Sequence, residues 1–123
     1  DQPRGWFVEP TVFADVKNSD RIAREEIFGP VLVVIPYENE ADAVRIANDS
    51  DYGLGGTVWS TDTDRATAVA RAVETGTIGV NAYNLDIAAP FGGVKASGLG
   101  RELGPEGLDA YLVTKSIYRT GPA

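Results

Sequence analysis

The chain has no cysteine, no histidine and no methionine among its 123 residues. Without cysteine there is no disulfide, no thiolate nucleophile and no thiolate metal ligand. Without histidine the commonest general base and the commonest metal ligand are gone as well. Neither a Ser-His-Asp nor a Cys-His arrangement can be built from this chain, and no metal site is expected. Long apolar runs are also missing: nothing approaches the ~20 residues of a membrane span, and no signal peptide is visible. That reads as a cytoplasmic chain without a membrane partner. Cations are few, 11 Lys and Arg against 18 Asp and Glu, giving a net charge of −7. They form no cluster, so phosphate backbones and anionic lipids are repelled, and nucleic acid is not an expected partner. Methionine is absent even at position 1, and the opening "DQPRGWFVEPTVF" reads as the middle of a longer protein.

What is present is ordinary for a globular domain: 43% hydrophobic and 24% charged residues. A compact chain of this length buries roughly two-thirds of its unfolded surface, so a core is expected. "VLVVIPY" (31–37) is a β-branched run of the kind buried on both faces of a sheet. Asn39 can cap a following helix, with Asp42 three residues on and Ala43, Val44, Ile46 and Ala47 along one face. "NDSDYG" should end it; Asn48-Asp49-Ser50 also fits a glycosylation pattern but reads as the helix C-terminus. "GGTVWS" (55–60) is a second strand. A hydroxyl cap and two acids in "STDTD" (60–64) then predict a helix with Ala66, Val69, Ala70 and Val73 at i, i+3, i+4 and i+7, stopped by Gly76. "TIGVNAY" (77–83) is a third strand. The order predicts an α/β fold with a parallel βαβαβ sheet and flanking helices. Upstream, 6–13 reads as extended and 19–28 as holding a short helix capped by Ser19 or Asp20. Downstream, 90–104 is irregular, a short helix lies near 105–111, and "YLVTKSIYR" (111–119) alternates as a closing strand.

Two stretches invite a chemical reading. The glycine-rich segment 92–104 lacks the P-loop spacing, because Gly98 is followed by Leu99, and Gly98, Gly100 and Gly104 miss the dinucleotide fingerprint by one residue. It reads as a tight loop whose glycines permit close backbone approach. "EEIFGP" (25–30) sets two carboxylates against Ile27 and Phe28, which favour burial, ahead of a Gly-Pro turn.

Taken in order, "GWFVEPTVFADV", "REEIFGPVLVV", "AVRIANDSDYGLGGTVWSTD", "GTIGVNAYN" and "APFGGVKASGLGRELG" resemble the C-terminal portion of the aldehyde dehydrogenase superfamily, over roughly residues 5 to 119. The resemblance implies that residues 1–110 are part of the catalytic domain and 111–123 an oligomerisation-arm strand and tail. It implies NAD or NADP as cofactor, an aldehyde as substrate and a homo-oligomer, dimer or tetramer. In the family a cysteine attacks the aldehyde, hydride passes to the nicotinamide, and a glutamate-activated water hydrolyses the thioester. Both of those residues lie upstream of the matched region, so this chain carries no catalytic residue. By the resemblance, Glu26 holds the nicotinamide ribose, whose two hydroxyls a carboxylate can accept together, and Phe28 packs beside the nicotinamide. Glu25 inherits no role and reads as surface. Phe91 borders the aldehyde tunnel, and "NLDIAA" (84–89) shapes its mouth, with Leu85 and Ile87 able to face an apolar substrate. Lys95, Ser97 and Arg101 match the motif and read as loop braces.

The resulting expectation is a C-terminal piece of an NAD(P)-dependent aldehyde dehydrogenase. By itself it should be inactive and bind no cofactor. The alternatives are a stand-alone interaction module derived from the family and a small ligand-binding α/β domain.

Overall fold

The computed structural model describes residues 4–121. Strand β1 (Thr11–Phe13) pairs in parallel with β2 (Val31–Val33), Thr11 opposite Val31 and Phe13 opposite Val33. Helix α1 (Arg21–Arg24) is one turn on the connection between them. Helix α2 (Glu40–Asn48) begins where expected: the Asn39 side chain accepts from the Asp42 N–H at 3.1 Å. Asp42 in turn accepts from the Glu38 N–H at 3.1 Å, so two N-terminal donors are satisfied reciprocally. A short strand β3 (Tyr52–Gly53) precedes β4 (Gly55–Val58). Helix α3 (Thr63–Ala72) then leads into β5 (Thr77–Val80), which lies parallel to β4 with Gly55 opposite Thr77 and Val58 opposite Val80. β6 (Val94–Lys95) pairs antiparallel with β3, and α4 (Gly104–Asp109) follows the glycine loop.

The parallel α/β character is therefore as expected, but the sheet is divided. The β4-α3-β5 unit forms, whereas β2 and β4 share no ladder, and the described strands make three two-stranded sheets. Each parallel pair leaves both outer edges open, a marginal arrangement for so few strands. Segment 111–119, expected as a closing strand, forms no ladder. A strand needs a second edge to receive its N–H and C=O groups, and among the described residues none of the open edges pairs with this segment.

Two local readings change. The cap of α3 is the carboxylate of Asp62, which accepts from the Arg65 N–H at 3.0 Å, not a hydroxyl. Gly76 does not stop α3, which ends at Val73 in extended backbone. Gly76 instead lies against the glycine loop, where a Cβ would overlap the Gly92 carbonyl.

The expected core is thin. Val16, Ala66 and Ala70 are the buried apolar residues, and no large side chain is fully buried among the described residues. The chain presents 10304 Å² to solvent, against about 6,400 Å² for a compact monomer of 13.1 kDa. Alanines at one-turn spacing let α3 seat closely on β4 and β5, but the other faces carry large apolar groups outward.

Candidate functional site

The "EEIFGP" segment is strung between two anchors. Upstream, α1 has no side-chain cap and no buried residue. One helical turn does not sustain itself, and its hold comes from outside. Arg24 Nη1 donates to the Asp49 carbonyl and lies 3.2 Å from Asp49 Oδ1. Asn18 Nδ2 donates to Asp49 Oδ2 at 2.8 Å and to the Asp49 carbonyl at 3.0 Å. The Asn18 amide and the Arg24 guanidinium hold the Asp49 carboxyl below its ordinary pKa. Downstream, Thr11 N–H donates to the Pro30 carbonyl at 2.9 Å, the start of the β1–β2 ladder.

Between those anchors the two glutamates differ. Glu25 accepts from Arg21 Nε at 2.7 Å in an exposed i,i+4 pair, a surface role as expected. Glu26 is exposed and enters no side-chain hydrogen bond or ion pair among the described residues. Phe28 is 93% exposed, and Ile27 is exposed too, so the burial their apolar character favours is not met. Phe28 also has φ +54°, the left-handed region that a bulky side chain occupies only under constraint. A free carboxylate and a free aromatic face stand two positions apart, with Ile27 between them, on a constrained turn.

The glycine loop is closed on itself. Phe91 and Glu102 exchange both backbone bonds at 2.7 Å, an isolated antiparallel bridge. The three polar residues of the motif all reach backbone or loop partners. Arg101 Nη1 donates to the Gly93 and Gly100 carbonyls at 2.9 and 2.6 Å. Ser97 Oγ accepts from the Gly53 N–H at 3.0 Å. Lys95 Nζ donates to the Asn48 carbonyl at 2.7 Å and pairs with Glu74 at 2.8 Å. Bracing accounts for each of them. Phe91 is half-buried. Leu85 is 60% and Ile87 79% exposed; Leu85 lines a cavity of about 350 Å³ with Tyr83, Asn84 and Pro90, which Ile87 and Phe91 do not line.

Sequence reasoning missed the connecting corner. Asn48, the last residue of α2, donates through Nδ2 to the Ala72 carbonyl at 2.9 Å and accepts through Oδ1 from the Glu74 N–H at 2.8 Å. With Asp49 holding Asn18 and Arg24, and the Asn48 carbonyl holding Lys95, two adjacent residues tie together the approach to Glu26, the end of α3 and the loop that carries Phe91. The signal was the "ND" pair at a helix C-terminus, where amide and carboxylate side chains compete for backbone partners. The sequence does not say which distant partners they meet. Asn81 was missed in the same way: it exchanges two 2.8 Å bonds with the Ser60 backbone and closes the β4–β5 ladder.

The profile of the "Aldehyde dehydrogenase family" matches residues 1–117. Over 120 residues the chain is 68% identical to geranial dehydrogenase of Castellaniella defragrans, covering 98% of this chain and 25% of that protein. It is similar to a Mycobacterium tuberculosis aldehyde dehydrogenase solved with NAD+, at 56% identity and a TM-score of 0.85 over 87% of this chain and 22% of that one. A variant of aldehyde dehydrogenase C from Pseudomonas syringae, solved with NAD+ and octanal, matches at 50% identity and a TM-score of 0.88, over 92% of this chain and 23% of that one. The chain thus spans about a quarter of the length of the relatives it matches. In sequence and in fold, the chain belongs to the aldehyde dehydrogenase family.

Proposed function

We propose that the chain is the C-terminal part of an NAD(P)-dependent aldehyde dehydrogenase, supplying the nicotinamide end of the cofactor site and one side of the substrate passage. Residues 1–110 act within the catalytic domain, and 111–123 as the arm of a cytoplasmic dimer or tetramer. The carrying observation is the shared Asn48–Asp49 corner, which ties the approach to the free Glu26 carboxylate to the loop that carries Phe91. The residues present fit a nicotinamide nucleoside. An unpaired, exposed carboxylate suits two vicinal hydroxyls, and the open face of Phe28 suits a flat ring held in place for transfer. The bound cofactor supplies the hydride acceptor. The nucleophile must come from outside these residues, since the chain has no thiol.

The substrate class we favour is an uncharged, apolar aldehyde, as in the name of the 68% identical relative. Leu85 and Ile87 offer aliphatic surface, and "NLDIAA" holds no aromatic to cage a quaternary ammonium. Asp86 is engaged locally, accepting from the Ala88 N–H at 2.9 Å. The test is kcat/KM of the longer protein containing this chain, with geranial and with betaine aldehyde. Geranial should be preferred, and Leu85→Asp should weaken that preference. A preference for betaine aldehyde contradicts the reading.

A further inference from the structure

We propose that Asp49 is a positioning residue for Glu26, an assignment that rests on reading Glu26 as a cofactor ligand. Glu26 has no side-chain partner among the described residues, so only its backbone fixes where the carboxylate stands. That backbone leaves a single turn of helix which nothing inside α1 secures: no side-chain cap, no buried residue, and one exposed Arg21–Glu25 pair of a kind that contributes little. The turn is docked by Asp49. Its carboxylate takes Arg24 and Asn18 on separate oxygens, and its carbonyl takes the same two donors.

The far end of the segment is pinned by the β1–β2 ladder at Pro30 and Val31. Five residues, Glu25 to Gly29, bridge the two anchors, and one of them is Phe28 at φ +54°. Such a conformation persists only where its surroundings hold it. Releasing the upstream anchor lets the turn relax, and the carboxylate two residues beyond Arg24 moves with it. Asn48, beside Asp49, makes a useful contrast: its side chain holds the end of α3 and does not reach the Glu26 segment.

The experiment uses the full-length enzyme carrying this chain. Variants are Asp49→Ala, Arg24→Ala, the double variant, Arg24→Lys, Asn48→Ala and Glu26→Ala, each measured for KM toward cofactor, KM toward aldehyde, and melting temperature. Asp49→Ala and Arg24→Ala should each raise the cofactor KM by about 5- to 50-fold with little change in aldehyde KM, and the double variant should be far from additive. Arg24→Lys should recover part of the loss. Asn48→Ala, which keeps the Asn48 carbonyl that holds Lys95, should lower the melting temperature and change cofactor KM far less than Asp49→Ala does. An Asp49→Ala enzyme with unchanged cofactor KM, beside a Glu26→Ala enzyme that has lost it, would overturn the positioning role and leave the Glu26 reading intact. A parallel rise in both KM values with a fall in melting temperature in Asp49→Ala would overturn it too, by marking plain structural damage. Should Asp49→Ala fail to fold, the Arg24→Ala and Arg24→Lys pair carries the same comparison. An unaffected Glu26→Ala enzyme would instead remove the reading on which the proposal stands.

Discussion

Two adjacent glutamates differ in what they touch, and the proposed function turns on that difference. Glu25 is spent on Arg21, while Glu26 is free. On the proposed cofactor role, Glu26→Ala in the longer protein should remove a charge-assisted pair of hydrogen bonds, worth roughly 1.5–3 kcal/mol. That corresponds to about a 10- to 150-fold fall in kcat/KM, whereas Glu25→Ala should stay within about twofold of the parent, as an exposed ion pair implies. Steady-state kinetics on the two variants check this, and equal effects would remove the assignment. At this scale the sequence was legible through a motif. The quoted hexapeptide directed attention to Glu26 and Phe28, and the structure displays both outward. The left-handed backbone of Phe28 was not legible, because nothing about a phenylalanine announces φ +54°. Nor did the "ND" pair disclose that Asp49 reaches back 25 residues to Arg24.

Helices and strands followed local rules well where those rules are local. Asn39 caps α2 and the alanine spacing of α3 meets β5 as periodicity predicts. Gly76 shows the limit: a glycine after a helix reads as a stop, yet its reason is a backbone 16 residues away. Gly76→Ala should therefore cost roughly 1–3 kcal/mol by overpacking against main chain. Gly56→Ala, whose Cβ would meet only Ile78 Cδ1 at 4.0 Å, should be close to neutral; denaturant midpoints compare them. Acid acts at this scale too. Asp42, bonded to Arg45 and the Glu38 N–H, and Asp49, bonded to Asn18 and Arg24, both have pKa values lowered from the ordinary 3.8. As pH falls the unfolded chain takes up protons before the folded one, so stability falls with pH. The contribution of both groups is complete well above the usual carboxylate range and is lost as pH drops below about 4. Denaturant midpoints across that range should decline, and Asp49→Asn should flatten the slope. A midpoint independent of pH would contradict the linkage.

The molecule as a whole differs from the sequence expectation in what it leaves uncovered. Composition allowed a core, and periodicity placed Ala66 and Ala70 of α3 inward, while α2 buries none of its residues. Yet Trp6, Phe7, Leu32, Trp59, Val113 and Tyr118 all lie exposed. Hydrophobic pattern reports which residues favour burial; it does not say whether the covering surface belongs to the same chain. An apolar surface of this extent, with open strand edges, should make the 123-residue chain self-associate, and sedimentation at micromolar concentration should show species larger than a monomer. A monomer that binds no apolar dye would contradict this. The central claim, that these residues furnish a cofactor-facing wall and not the nucleophile, meets its most direct test in aldehyde-dependent NADH or NADPH formation by the purified chain and by the longer protein that contains it. The account predicts turnover by the longer protein and none above buffer by the chain alone. Turnover by the chain alone, at a rate that survives repurification, would contradict it.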